Sequence, residues 1–379
     1  MNERPDAGFP HRQIDWHAFL NRPRLPSPSQ KTLQQLREKS ILITGAGGSI
    51  GSSLSLQLAH LHPKKLVLLD SSEQALYSLQ SKLKNIGLCK DTHIVLGSVT
   101  DALLLDETFA IHSPQIVFHA AAHKHVPLLE SHPLAAIANN ILGTNTLVLL
   151  ARKHGAERVI LLSTDKAADP ASILGATKRI AEQITLAYKG VVLRLGNVLE
   201  SDGSVVELFL QQIASDGPVT VTDRNASRYF LTRDEAVDLL LTCSIEAGSA
   251  SIFVPQLDRS HNILSLAEFL ITTQAMNRSI SITFTCPRPG DKAHEILWTA
   301  SECPLQNSTS IPLPGVLQLA PSTPGTARLV HALDQMQQAV KERDLSRAME
   351  VIQQLVPTYV PSDTIRSLAQ QSNLKAISQ

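Results

Sequence analysis

The stretch Ile41-Leu42-Ile43-Thr44-Gly45-Ala46-Gly47-Gly48-Ser49-Ile50-Gly51 decides the fold. Its apolar start reads as a strand buried on both faces, the kind found inside parallel sheets. The strand runs directly into a glycine-rich turn, and the turn into a helical pattern near 50–60. Glycines there permit a tight turn and let the backbone approach a phosphate. The helix start behind them offers free N–H groups and the positive end of a dipole. These features open a doubly wound α/β sheet that holds a dinucleotide in its crevice.

Outward from this unit, strand patterns recur at 66–69, 93–96, 115–118, 159–162 and 191–195. Helical patterns alternate with them at 73–86, 102–111, 134–153 and 172–188. Six strands alternating with helices predict a parallel Rossmann sheet. Asp70 closes the second strand, 19 positions beyond Gly51, close to the spacing of about twenty expected of a ribose-binding acid. A carboxylate there accepts from both ribose hydroxyls and repels a 2′-phosphate, which favours NAD over NADP. A helix-capping aspartate is the plainer alternative.

The fifth strand ends in Ser163-Thr164-Asp165-Lys166. Ligands of open α/β sheets bind outside the carboxyl ends of the strands, so a hydroxyl, a carboxylate and an amine arrive together at that edge. A solvated polar loop with one ion pair is the plainer reading of these four residues alone.

Composition sets bounds on the rest. The 379 residues carry 34 Lys and Arg against 34 Asp and Glu, leaving no bulk charge to draw nucleic acid or an anionic membrane. Cys89, Cys243, Cys286 and Cys303 are scattered, without a CxxC pair, which fits a reducing compartment. The N-terminus lacks the order of a signal peptide, and no apolar run is read as a membrane span, so a soluble cytoplasmic protein is expected. His119, His123 and His125 share a loop, but no carboxylate or cysteine completes a ligand set, so no metal is expected.

Four regions are expected. Residues 1–38 form a proline-rich arm in which Trp16, Phe19 and Leu20 could dock on the body; a floppy tail is the alternative. Residues 39–255 form the NAD-binding core, and 256–325 a smaller substrate-binding lobe to which 199–230 contribute. Residues 326–379 form a helical tail. Its apolar periodicity over 327–356 predicts a helical hairpin packed on the body rather than a partner surface.

The glycine spacing, GxxGxxG over Gly45, Gly48 and Gly51 after Thr44, resembles the extended short-chain dehydrogenase/reductases. That family uses a tyrosine base and a lysine four residues later. The matching segment here is Leu174-Gly175-Ala176-Thr177-Lys178, which keeps the lysine and lacks the tyrosine. Further stretches narrow the resemblance to a bacterial polysaccharide-biosynthesis branch. They are His119–Pro127, Asn140–Thr144, Arg194–Leu199, Gly203–Val206, Pro218–Thr222, Arg228–Phe230 and Arg288–Lys292, besides the Ser163–Lys166 motif. In this order they are most similar to the UDP-N-acetylglucosamine 4,6-dehydratases, over roughly residues 12–360. Tyrosine-less members, usually with methionine at that position, tend to carry an N-terminal membrane region; this chain resembles only their soluble catalytic part.

The resemblance implies an NAD-dependent nucleotide-sugar dehydratase acting in surface-polysaccharide synthesis. Thr164, Asp165 and Lys166 would be catalytic, Lys166 as a neutral base and Asp165 as a protonated acid. Gly45, Gly48, Ser49, Ile50, Gly51, Asp70, Ala120, Ala121, Lys124, Asn140 and Lys178 would hold the cofactor. Arg194, Asn197, Arg228 and Arg288 would hold a UDP-sugar. A homo-oligomer would form through helices 134–153 and 172–188. Three departures stand out: Leu174, Asp202 where the family has arginine, and Ser98 where it has aspartate. A 4-epimerase and a non-catalytic NAD-binding protein remain the alternatives.

Overall fold

The computed structural model describes residues 13–88, 90–305, 313–320 and 325–377; Cys89 and residues 1–12 lie outside them. Each expected strand forms: β1 (Ser40–Thr44), β2 (Lys65–Asp70), β3 (Thr92–Leu96), β4 (Ile116–His119), β5 (Arg158–Thr164) and β6 (Val191–Leu195). Two more, β7 (Ser251–Pro255) and β8 (Val316–Leu319), complete an eight-stranded sheet in the order β8-β7-β6-β5-β4-β1-β2-β3. All neighbours run parallel except β8, which pairs antiparallel with β7. Residues 316–319 were expected in the substrate lobe and instead form the edge of the core sheet. The chain winds outward from β1 to β3, then returns to lay β4 on the other side of β1. That reversal opens a crevice at the carboxyl ends of β1 and β4.

Alternation along β1 decides which face each side chain meets. Ile41 and Ile43 join Ile50, Leu54 and Leu58 of helix α1 (Ser49–Leu61), Leu76 and Leu79 of α2 (Glu73–Asn85), and the apolar residues around Leu240. Leu42 points to the opposite layer. There it joins Phe109 of α3 (Ala102–His112), Ile141 and Leu147 of α4 (Pro133–Lys153), and Ile180 of α5 (Ile173–Ala187). By length and composition α4 could cross a membrane, contrary to the expectation from sequence; half of it is buried inside the protein.

A separate apolar cluster holds the lobe together. Phe209, Val219, Val221, Leu266 and Leu270 pack there with Trp16 and Leu20 of the arm. The arm is therefore docked: Phe19 lies edge-on to Phe230, and Arg22 forms an ion pair with the buried Glu235 at 2.6 Å.

The C-terminal hairpin, α6 (Thr326–Glu342) and α7 (Leu345–Leu355), supplies Leu329, Met336, Ile352 and Leu355 to the same cluster as α4 and α5. Every residue of Ile173–Leu186 except Arg179 is buried. Most of helix α5 is therefore covered by the chain itself, which leaves little of 172–188 exposed for the interface expected there. Deleting residues 326–379 should uncover it. The expected result is a shift of most of the protein to high-molecular-weight species on size-exclusion chromatography, against a single peak for the full chain.

Candidate active site

The glycine turn is shaped by contacts that side chains would prevent. Gly45 sits at φ +70°, and a Cβ on Gly51 would lie 1.9 Å from the Gly45 carbonyl oxygen, so α1 meets the loop only because both are glycine. Gly48 precedes α1, whose first N–H groups receive no side-chain cap. Asp70 Oδ2 accepts from the Gly47 N–H at 2.9 Å, and Oδ1 from the Ser72 N–H at 2.9 Å. It orders the turn and lines a groove with Ser71, Ser98, Ala120 and Ala121. Opposite, α4 widens into a π-turn over Ile137–Gly143, a deformation common at functional sites. Asn140 in that turn accepts from the His123 N–H at 2.9 Å and donates to its carbonyl at 3.1 Å, pinning the 120–123 loop.

One contact works against an anion here. Ser49 Oγ donates to Asp202 Oδ2 at 2.7 Å and accepts from the Asp202 N–H at 2.9 Å. A carboxylate therefore rests on the first turn of α1, beside Lys124, whose Nζ is 3.4 Å from Ser49 Oγ. Burial lowers the Lys124 amine below its usual value, and Asp202 partly offsets this.

The second constellation lies past the end of β5. A one-turn 3-10 helix, Asp165–Ala167, follows Thr164. Helix α5 packs on this turn through Gly175, where a Cβ would lie 2.3 Å from the Lys166 carbonyl oxygen. Thr164 Oγ1 donates to Asp165 Oδ1 at 2.9 Å. Lys166 Nζ donates to the same oxygen at 3.0 Å and to Asn197 Oδ1 at 3.3 Å. A further carboxylate, Glu295, stands 3.6 Å from Lys166 Nζ. Asp165 Oδ2 and Glu295 Oε2 are both buried without a hydrogen-bond partner.

Charge balance here differs from expectation. Burial by itself lowers the Lys166 amine, but Asp165 and Glu295 outweigh it and hold the amine above its usual value. The free site thus begins with an ammonium beside a carboxylate, not with a neutral amine. Burial depresses Lys178 further, to about 8; its Nζ donates to the Leu162 carbonyl at 2.7 Å. Leu174, in the tyrosine position, is buried in the apolar cluster.

The expected phosphate-binding side chains do not all converge. Arg194 is fully buried, held by Glu182 at 2.7 Å and Glu302 at 3.0 Å, and its Nη1 donates to the Leu297 carbonyl. Every direction of its fork is spent, so its assignment to a substrate diphosphate is withdrawn. Arg228 donates to the carbonyls of Ser227, Lys292 and Ala293, bracing the segment that carries Glu295. Arg288 pairs with Asp291 at 2.9 Å on an exposed loop. Asn197 alone of the four touches a catalytic candidate.

Sequence reasoning missed Glu295 and Glu302. Each meets a partner more than 100 positions away, and no local spacing announces such a pair. His119 bridges the Thr44 and Thr144 hydroxyls at 2.8 and 2.9 Å, and burial depresses it to about 3, so it is a neutral structural link. Among the described residues no three metal-binding side chains converge.

Comparison with known proteins agrees with this architecture. A family described as polysaccharide biosynthesis protein matches residues 41–311. The chain is 40% identical over 278 residues to the capsular polysaccharide biosynthesis protein CapD of Staphylococcus aureus, covering 71% of this chain and 46% of that one. It is 31% identical over 283 residues to the UDP-glucose 4-epimerase of Rickettsia rickettsii, covering 70% and 79%. With CapD and with EpsC of Bacillus subtilis, it spans about half the length of the relative it matches. Pen from Bacillus thuringiensis superposes with a TM-score of 0.68 at 26% identity, covering 76% of this chain and 89% of that one. DesIV of Streptomyces venezuelae, a dTDP-glucose 4,6-dehydratase solved with NAD and TYD bound, shares the fold with a TM-score of 0.62 at 21% identity, covering 68% and 87%. By sheet order, glycine turn and matched length, the chain belongs to the polysaccharide biosynthesis protein family, within the extended short-chain dehydrogenase/reductases.

Proposed function

We propose that the protein is an NAD-dependent nucleotide-sugar 4,6-dehydratase that converts UDP-N-acetylglucosamine to its 4-keto-6-deoxy product in cytoplasmic supply of surface polysaccharide. The observation that carries this reading is the Asp165–Lys166 pair, 3.0 Å apart just past the carboxyl end of β5, with leucine in place of a phenol. The groove fits the cofactor: uncapped N–H groups at α1, backbone close enough for a pyrophosphate, and Asp70 at the ribose position. Bound NAD would supply a hydride acceptor at C4 and return that hydride at C6.

The chain's own residues handle the protons. Thr164 is placed to hydrogen-bond the 4-hydroxyl and the ketone that follows. The one proton shared across the Asp165–Lys166 contact rests on the amine in the free site. A bound sugar expels water, which weakens an ion pair relative to its neutral form. Moving that proton to Asp165 leaves a neutral amine to remove the C5 proton. It also leaves a carboxylic acid to protonate the departing 6-hydroxyl.

Incubation with UDP-N-acetylglucosamine in deuterated water, followed by NMR, tests the proposal. A 4-keto-6-deoxy sugar with deuterium at C5 supports it. The match to a UDP-glucose 4-epimerase supports a second reading. Its signature is inversion at C4 with hydrogen retained at C5. Unchanged sugar with NAD still bound leaves neither.

Asp202 sets a limit on cofactor affinity. Its charge lies at the end of α1 that an anion must approach. Asp202→Asn removes that charge while keeping the shape. It should tighten NAD binding by about 1 kcal/mol, roughly fivefold, in titration calorimetry.

A further inference from the structure

Three ionisable side chains are threaded on one amine. Lys166 Nζ stands 3.0 Å from Asp165 and 3.6 Å from Glu295. The Lys166 side chain is 23% exposed, whereas those of Asp165 and Glu295 are 0% and 3% exposed. Each carboxylate retains one oxygen with no partner. A buried, unpartnered carboxyl oxygen is costly unless it carries or receives a proton. Arg228 fixes the backbone just before Glu295, and Lys292 ties the same segment to Asp169 beyond the catalytic turn, so the carboxyl is held in place. Burial holds the Glu295 carboxyl above its ordinary range, even against Lys166.

We propose that Glu295 is the proton store of the reaction, a positioning residue acting through Lys166. This rests on the dehydratase reading. Dehydration without a phenol leaves a bookkeeping problem. The 4-hydroxyl loses a proton when its carbon loses hydride to the cofactor, and neutral Lys166 takes that proton. The amine must then be emptied before it can remove the C5 proton. Glu295 receives the first proton from Lys166. Lys166 next takes the C5 proton, Asp165 protonates O6, the C6–O bond breaks and water leaves. Hydride returns to C6 and the Lys166 ammonium, whose three hydrogens mix with solvent-derived ones, delivers one proton to C5. Glu295 then passes its stored proton through Lys166 to Asp165, restoring the starting state. The proton lost from O4 thus leaves in the water, and every group ends as it began.

Glu295→Gln keeps shape and removes storage. Lys166 then stays protonated after the first step, so the cycle should halt between oxidation and elimination. Stopped-flow absorbance should show NADH forming within about threefold of the wild-type rate and then persisting, while product falls about 100-fold. UDP-sugar affinity by calorimetry should stay within threefold, and no deuterium should enter C5. Glu295→Asp should restore part of the product rate. Product within fivefold of wild type in Glu295→Gln overturns the role. So does joint loss of sugar binding and NADH formation, which would make Glu295 a structural brace. A wild-type protein inert toward the sugar sinks the dehydratase reading and this role together; normal wild-type turnover beside normal Glu295→Gln turnover sinks this role alone.

Discussion

Lys166→Met is expected to stop product formation, by 10³-fold or more, because the amine is the one group that contacts both carboxylates. Methionine keeps the length of the stem and removes the only carrier able to empty the 4-hydroxyl and the C5 carbon in turn. Lys166→Arg is the sharper companion. Guanidinium retains the charge between Asp165 and Glu295 but does not release a proton at working pH. If charge alone served the site, arginine would preserve activity. If proton transfer matters, both variants should show no NADH in stopped-flow mixing while still binding UDP-sugar. Comparable turnover in either variant would exclude Lys166 as the base.

Arg194→Leu is expected to have the largest effect on stability. The guanidinium is fully buried and neutralises Glu182 and Glu302, with Arg179 also on Glu302. Arg194 depresses the Glu302 carboxyl to about 2, so that group is fully ionised and needs its cation. Removing one member of a buried pair leaves an uncompensated charge, at a cost of about 3–5 kcal/mol. A chain of this size should lose roughly 5 °C in Tm by calorimetry. Arg194→Lys should recover only part of the loss, since an ammonium cannot serve both carboxylates and the Leu297 carbonyl in fixed geometry. Ser163 donates to Glu182 at 2.6 Å one residue before Thr164, so surviving protein should also turn over more slowly.

The contrast between these two sites shows what could be read in advance. Buried apolar runs, the glycine turn and Asp70 are local signals, and strand and helix spacing carry them without help from the rest of the chain. The doubly wound parallel sheet followed from that alternation. Arg194 was misread because its position at the end of β6, level with Ser163, suited a phosphate clamp equally well. Its true partners come from a helix 12 positions earlier and a turn 108 positions later. Lys166 was expected to be neutral because burial was weighed without its partners: Asp165 first, and Glu295, which comes in from 129 positions away, outweigh it. Strand β8, only four residues long, was not among the expected strands. The hairpin's periodicity was visible, but its docking place was not, since an amphipathic stripe does not name the surface it will cover.

The placement of α6 and α7 has a consequence for biosynthesis. Helices α6 and α7 come late in the sequence and seal the layer built by the residues of its middle third. Until then a nascent chain presents the greasy side of α5 to its surroundings, with every strand up to β8 already made. Burial of that face is therefore a late event in synthesis, and a chain released before residue 326 would be a sticky polypeptide, a ready client for chaperones and proteases.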